Sequence, residues 1–206
     1  MVEDYPCSLL KHPIAIHKLS LLRKDNLSSS KCYSLAKELG MCFAYDLTRE
    51  FELTNKGLIY GKKPAVIAML RSGMVLLEGF RTLIPNIKIG HLGVYKQEGS
   101  GEEKAILYLV SVPELNQRPV IILDMSINTG VTAIKAITEI KQLKDSSDDS
   151  PIIYGSVVTS IEGAENIKKV HNENNVKIVV VSKGHESKES NFGHFSNKIY
   201  GLTPAQ

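Results

Sequence analysis

The chain of 206 residues has few cysteines, no long apolar run and no concentrated block of positive charge. Its three cysteines, Cys7, Cys32 and Cys42, show no C-x-x-C spacing, which indicates reduced thiols of an intracellular protein and not a disulfide framework. No apolar run reaches the roughly 18 residues that a membrane span needs. The N-terminus also lacks the basic-then-apolar layout of a signal peptide. We therefore expect a cytoplasmic protein with no membrane partner.

The charge balance points away from nucleic acid. The net charge is only +3, and no Lys/Arg block or stripe of aromatic and basic residues is present. The six histidines are scattered without the spacing of metal ligands, so we assign no metal site. With 43% hydrophobic and 23% charged residues, the chain can bury a sizeable core, and we expect one domain over residues 1–206.

Apolar runs alternate with helical patterns along most of the chain. The predicted strands cover residues 65–70, 87–95, 104–112, 120–123, 152–159 and 176–181. Residues 14–50 are predicted to be mostly helical, and helices follow the strands at 65–70, 120–123 and 152–159. Because continuously apolar strands alternate with helices, we predict an α/β fold with a parallel sheet, helices on both of its faces and additional N-terminal helices.

The most informative segment spans residues 119–133, PVIILDMSINTGVTA. The apolar run is predicted to be a strand that ends in Asp124, and a short polar loop leads into a helical pattern from Ile134 to Leu143. Such a unit directs several backbone N–H groups and a helix N-terminus to one point, which favours a phosphate. An acid at the strand end can hold ribose hydroxyls or a metal. Together these features indicate a sugar phosphate.

A structural explanation of this segment stays open. Asp or Asn after a strand is often only turn chemistry, and Thr-Gly often only opens a helix. The spacing is not that of a Walker loop, and no G-x-G-x-x-G follows a strand. The loop Arg71-Ser72-Gly73, however, also follows a predicted strand, and ligands of such folds bind outside the carboxyl ends of the strands. Two loops of this kind at one edge favour the phosphate site.

Residues 94–107 form a charged, Gly-rich segment between two predicted strands. We expect a flexible arm there, a hairpin or loop. On composition alone, a plain solvated turn and a dimer arm are both open.

Several segments resemble those of one known family. They are HP at 12–13 with HKLSLLR at 17–23, a helical segment at 38–49, MLRSGM at 69–74, GHLGVYK at 90–96 and DMSINTGVTA at 124–133. The last three are similar to a pyrophosphate loop L-R-A-G, to G-H-I-G-x-Y-R and to the loop D-P-M-x-A-T-G-G-S-A, which binds phosphoribosyl pyrophosphate. Taken together, the segments resemble the uracil phosphoribosyltransferases over most of the chain.

The resemblance implies a phosphoribosyltransferase fold and a pentosyl transfer, in which uracil and phosphoribosyl pyrophosphate give UMP and diphosphate in pyrimidine salvage. It implies catalytic roles for Arg71, at the departing diphosphate, and Asp124, at the ribose hydroxyls. The implied substrate-binding residues are Lys96, Asn128, Thr129, Gly130, Val131, Thr132, Gly193 and His194. It further implies Mg²⁺ bound with phosphoribosyl pyrophosphate, GTP as a possible activator, and a homodimer or homotetramer with a subunit contact on the 94–107 arm.

The chain departs from the family pattern at identifiable positions. Val131 replaces the second Gly of the phosphate loop, which would cost about 1–2 kcal/mol if that position needed a positive φ. Lys96 replaces an Arg and so keeps the charge without the bidentate fork. In the base-side C-terminal loop, residues 182–206, a Y-I-V-P stretch is missing, and two acids are replaced by His194 and Asn197. Tyr200-Gly201 resembles the family's closing aromatic-Gly pair.

These departures leave two alternatives to a uracil phosphoribosyltransferase. One is a catalytically weak or inactive paralogue that binds a nucleotide or a partner chain. The other is a phosphoribosyltransferase for another base, because a site that lacks the polar partners of uracil discriminates poorly.

Overall fold

The computed structural model describes residues 6–24, 26–97, 104–172, 175–183 and 197–201. The strands are β1 (Ser8–Leu9), β2 (Ala65–Leu70), β3 (Lys88–Gln97), β4 (Lys104–Ser111), β5 (Val120–Ile127), β6 (Ile152–Thr159) and β7 (Val176–Lys183). The helices are α1 (Pro13–Leu22), α2 (Ser29–Leu47), α3 (Met74–Leu83), α4 (Val131–Leu143) and α5 (Ile161–Val170).

The strands form one sheet in the order β1-β7-β6-β5-β2-β3-β4. All neighbours are parallel except β4, which runs antiparallel to β3. The predicted parallel α/β sheet is therefore confirmed, with an antiparallel strand at one edge. The antiparallel direction of β4 follows from its short connection to β3, because a parallel pair needs a long crossover. Strand β1 escapes sequence analysis because two residues are too few to show a period.

Helices cover both faces of the sheet, as predicted. Helices α1, α2 and α3 bury their apolar sides on one face, in a core that includes Phe43, Phe80 and Leu123. Helices α4 and α5 cover the other face, where Tyr154 and Ile122 lie in the second core. Strands β2, β5 and β6 are buried on both faces, which is why their sequences are continuous apolar runs and do not alternate.

Helix starts follow local capping chemistry. The side chain of Ser28 accepts a hydrogen bond from the Lys31 N–H at 3.3 Å at the start of α2. The His12 ring accepts from the Ile14 N–H at 3.2 Å before α1, whose first residue is Pro13. These caps fix where the two N-terminal helices start; α1 begins at residue 13, one residue before the predicted range 14–50, and α2 ends at Leu47.

Several predicted boundaries differ from the structure. The strand predicted at 87–95 covers Lys88–Gln97, the one predicted at 104–112 ends at Ser111, and the one predicted at 176–181 continues to Lys183. Strand β5 continues past Asp124 to Ile127, because Met125 and Ile127 are buried and the strand stays paired with β6 to its end. Asp124 therefore lies inside the strand and not after it. In the predicted arm, residues 94–97 and 104–107 are the paired ends of β3 and β4. The residues between them lie outside the described part of the chain.

None of the described residues forms a helix that is both long and apolar enough to cross a membrane.

Candidate functional site

Two loops meet at the carboxyl edge of the central strands. Residues Arg71-Ser72-Gly73 connect β2 to α3, and residues 128–130 connect β5 to α4. Because β2 and β5 are parallel neighbours, both loops leave the sheet at the same edge. The structure thus brings together the two anion loops that the sequence predicts.

The loop after β5 has one backbone position in the left-handed region. Gly130 has a φ of 83° and directly precedes the first residue of α4, Val131. The positive φ therefore falls on the retained glycine and not on Val131, so the strain that the sequence comparison raised for Val131 does not arise. Asn128 is exposed, and Thr129 and Thr132 are half-buried.

Helix α5 braces this loop through the loop's carbonyl groups. The Ser160 hydroxyl donates to the Asn128 carbonyl, and the Asn166 amide donates to the Thr129 carbonyl at 3.1 Å. Gly163 lies so close that a Cβ there would be 2.1 Å from the Asn128 carbonyl oxygen. Since the N–H groups of a first helical turn have no partner within their helix, this bracing presents the N-terminus of α4 as an anion site.

The loop after β2 presents a cation. The side chain of Arg71 is exposed, whereas Gly73 is buried. A Cβ on Gly73 would be 2.0 Å from the Leu123 carbonyl oxygen, so the loop lies directly on strand β5. The peptide bond between Leu70 and Arg71 is cis. The guanidinium of Arg71 offers the planar fork of donors that suits phosphate oxygens.

Asp124 is buried on the second face of the sheet, with an exposed fraction of 6%. Its carboxylate accepts hydrogen bonds from the Ser72 hydroxyl, from the Tyr154 hydroxyl at 2.9 Å and from the Met125 N–H at 2.7 Å. Burial raises the pKa of Asp124, and these hydrogen bonds, with one from the Ser126 backbone, oppose that increase.

The acceptor capacity of this carboxylate is filled from within the protein. An ionised carboxylate has about four acceptor sites, and four donors reach Asp124. Ser72 was predicted only as part of the loop after β2, and Tyr154 was not predicted as a site residue. A phenol within the apolar strand IIYGSVVT was the available signal for Tyr154, because a buried hydroxyl needs a polar partner.

Lys96 is exposed near the end of β3. Gly93 pairs with Leu70, so Lys96 lies three residues further toward the same carboxyl edge. Lys96 is thus on the side of the sheet that carries both loops. Gly193 and His194, assigned to the base site from the sequence, lie outside the described residues.

Within the described ranges, no group of three or more His, Cys, Asp or Glu side chains is placed to hold a metal ion. Asp124 is the acid next to both loops. The site can therefore bind an anionic ligand through Arg71 at one point and the α4 N-terminus at another. That arrangement suits a molecule with phosphate groups at two separate positions.

Sequence comparison with known proteins finds one family. The family model described as uracil phosphoribosyltransferase matches residues 9–200. The uracil phosphoribosyltransferase of Ralstonia pickettii is 32% identical over 186 residues, which are 85% of this chain and 83% of that protein. The protein of the same name from Polaromonas naphthalenivorans is 33% identical over 175 residues, 79% of this chain and 81% of that protein.

Solved structures show the same fold. The AQ2163 protein from Aquifex aeolicus superposes with a TM-score of 0.82 at 24% identity, covering 97% of this chain and all of that one. The orotate phosphoribosyltransferase of Mycobacterium tuberculosis, solved in complex with phosphoribosyl diphosphate, gives a TM-score of 0.51 at 14% identity, covering 84% and 90%. The predicted phosphoribosyltransferase type of sheet is confirmed.

Proposed function

Because the chain belongs to the uracil phosphoribosyltransferase family, which consists of pentosyltransferase enzymes, we propose that it transfers the phosphoribosyl group of phosphoribosyl pyrophosphate to uracil. The products are UMP and diphosphate, as in pyrimidine salvage. The observation that supports this proposal best is the pair of loops at one sheet edge, with Arg71 on one and the braced α4 N-terminus on the other.

The chemistry needs little covalent help from the protein. The bond from the anomeric carbon to the diphosphate breaks, that carbon gains oxocarbenium character, and a uracil nitrogen loses its proton and bonds to the carbon. Arg71 stabilises the negative charge on the departing diphosphate. The backbone N–H groups of residues 129–132 hold the phosphate at the other end of the ribose. The two loops thus fix both ends of the sugar about the reacting carbon.

Asp124 has a more conditional role in this proposal. For its carboxylate to accept a ribose hydroxyl, one of its protein donors has to leave. Ser72 is the donor that can do so, since its half-buried hydroxyl rotates about a single bond, whereas Tyr154 is fully buried. The ribose then replaces Ser72 as a hydrogen-bond partner and leaves the carboxylate satisfied.

Mg²⁺ enters this proposal with its substrate, bound to phosphate oxygens, as is usual for this ion. Lys96 adds a positive charge on the diphosphate side. Three further points remain predictions. They are base binding by Gly193 and His194, activation by GTP, and a cytoplasmic location. Adding GTP to the turnover assay tests the activation.

A homodimer or homotetramer is also part of the proposal. Strand β4 lies at the edge of the sheet, and its side chains from Tyr108 to Val110 are partly exposed on both faces. An apolar edge strand of this kind is usually covered by another chain.

The test is uracil-dependent release of diphosphate from phosphoribosyl pyrophosphate in the presence of Mg²⁺. Turnover with uracil but not with cytosine supports the proposal. Arg71→Ala should slow turnover about 10²–10³-fold, as expected for the loss of a charge-stabilising donor. Arg81→Ala, at the exposed last turn of α3, is the matched control and should leave turnover unchanged. If the wild type releases no diphosphate with uracil, the proposed function is wrong.

A further inference from the structure

The C-terminal residues 197–201 reach back to the loop after β2. Residues 197–200 form a helical turn, in which Ile199 is buried in the first core with an exposed fraction of 3%. Lys198 also donates a hydrogen bond to the Lys24 carbonyl at 3.3 Å. The turn is thus fixed between the core and the end of α1, and it carries the half-buried side chain of Tyr200.

The hydroxyl of Tyr200 makes two hydrogen bonds to the loop and the helix that follows it. It donates to the Arg71 carbonyl at 2.8 Å and accepts from the Val75 N–H. A carbonyl and an N–H four residues apart are the pair that bonds directly in a regular α-helix. Here the hydroxyl lies between them and bonds to both groups, and the Arg71 carbonyl also accepts from the Met74 N–H at 3.3 Å, while Arg71 remains outside the helix.

From this geometry we propose that Tyr200 is a positioning residue for Arg71. The inference rests on the proposed function, in which Arg71 stabilises the departing diphosphate. Arg71 has an exposed side chain, so its placement depends on how firmly its own backbone is held. Tyr200 holds that backbone at the Arg71 carbonyl. Two residues further, the close packing of Gly73 on the Leu123 carbonyl holds the other end of the loop. The C-terminal turn thereby supports the diphosphate side of the site.

The neighbourhood of Tyr200 offers a matched control. Tyr33, on α2, is also half-buried, and its hydroxyl donates to Glu78 of α3 at 2.5 Å. That hydrogen bond, together with burial and the charge of Glu78, raises the pKa of Tyr33 to about 12. Tyr33→Phe removes one hydroxyl from the α2–α3 contact without touching the loop of Arg71. Tyr200→Phe removes one hydroxyl that does touch it and keeps the ring in place.

The experiment compares wild type, Tyr200→Phe and Tyr33→Phe in three measurements: hydrogen exchange, calorimetry and steady-state turnover. Hydrogen exchange of the free proteins should show about tenfold faster exchange of the Val75 amide in Tyr200→Phe only, because that amide loses its partner. Calorimetry with Mg²⁺ should show that Tyr200→Phe binds phosphoribosyl pyrophosphate about fivefold more weakly. Turnover assays should show an unchanged KM for uracil, since the lost bonds position a charge and not the base. Tyr33→Phe should match the wild type in exchange and in affinity.

The outcomes separate the inference from the proposed function. Affinity of Tyr200→Phe within twofold of Tyr33→Phe would overturn the positioning role, even if the Val75 amide exchanges faster, because the bond would then be structural only. The positioning role would also be overturned if the KM of Tyr200→Phe for uracil rose by the same factor as its affinity for phosphoribosyl pyrophosphate fell. If the wild type binds no phosphoribosyl pyrophosphate, the proposed function fails and the positioning role falls with it.

Discussion

At the scale of single residues, Ser72 and Tyr154 change how Asp124 is understood. From the sequence, this acid was expected to project from a strand end toward a ligand. It is instead the point at which the β2 loop, strand β5 and strand β6 are joined by hydrogen bonds. In the proposed function, the Ser72 hydroxyl competes with a ribose hydroxyl for the same carboxylate.

Ser72→Ala should therefore separate stability from binding. The free protein loses one hydrogen bond to a buried carboxylate, so its free energy of unfolding should fall by about 1–3 kcal/mol. The affinity for phosphoribosyl pyrophosphate should rise about threefold, because the ligand no longer displaces a protein donor. Chemical denaturation and calorimetry measure the two effects. Ser34→Ala, on α2, is the control, and weaker binding of phosphoribosyl pyrophosphate by Ser72→Ala would contradict ribose binding by Asp124.

Asp148 and Lys144 form a buried ion pair on the opposite edge of the sheet, with 3.3 Å between charged atoms and side chains that are 5% and 4% exposed. Burial alone would raise the pKa of Asp148, but hydrogen bonds from Ser150 and the Gln117 N–H, and the charge of Lys144, lower it to about 2. Because the folded pKa lies below the ordinary value of 3.8, this acid stabilises the fold above about pH 4. That contribution is lost as the pH falls toward 2.

Asp148→Asn should lower the free energy of unfolding at pH 7 by about 3 kcal/mol, since it leaves the buried Lys144 without its counter-charge. The variant should also lose less stability than the wild type between pH 4 and pH 2. Urea denaturation across this range measures both effects. Asp145→Asn, at an exposed position nearby, should behave like the wild type. If the free energy of unfolding fell equally with pH in Asp148→Asn and in the wild type, the ion pair would not contribute to the pH dependence of stability.

At the scale of elements, the contact between α5 and the loop after β5 determines where the α4 N-terminus points. The contact is backbone to backbone at Gly163, where a Cβ would overlap the Asn128 carbonyl oxygen. The side chains of Ser160 and Asn166 then hold the loop's carbonyl groups. The position of the 128–130 loop thus depends on the helix that follows the next strand.

Gly163→Ala should push the 128–130 loop away from α5. We expect a loss of about 1–3 kcal/mol in the free energy of unfolding from overpacking. The affinity for phosphoribosyl pyrophosphate should fall at least about tenfold, because the N–H groups that hold the phosphate move with the loop. Gly155→Ala on β6 is the matched control, since its Cβ would meet only side-chain atoms at 3.3 Å or more. Equal affinities of the two variants would show that the loop does not depend on α5.

At the scale of the whole molecule, the two edges of the sheet differ. One edge ends in the two-residue strand β1, which offers little length for pairing. The other edge is β4, where Tyr108, Leu109 and Val110 are 57%, 38% and 40% exposed. Tyr108 packs against Tyr95 of β3 with ring centroids 6.0 Å apart, which extends the apolar surface onto the neighbouring strand. This edge is where we expect the subunit contact.

Light scattering tests this expectation. The wild type should have the mass of a dimer or tetramer, and Val110→Lys should shift it toward the monomer, because a buried lysine without a partner opposes association. Tyr45→Lys places the same charge at a position on α2 that is 76% exposed. It should leave the mass unchanged. A wild-type mass equal to one chain, or an oligomer that survives Val110→Lys, would contradict a contact at β4.

The sequence by itself determined the class of fold and the local chemistry of the two loops. Strands β2 and β6 match their predicted bounds, because an apolar run between polar residues is a local signal. The helix after Gly130 was also predicted, from Ile134, whereas α4 begins at Val131. These features depend on residues that are near one another in the chain, so turn chemistry and hydrophobic period are enough to predict them.

Only the tertiary structure decided how the site is held together. Ser72 and Tyr154 reach Asp124 across 52 and 30 residues of sequence, and Tyr200 reaches Arg71 across 129. Such contacts depend on which strands become neighbours and on where the chain's end is packed, and no local period carries that information. Asp124 shows the difference most clearly. Its presence was read from the sequence, but the partners that satisfy its buried charge are set by the order of the strands.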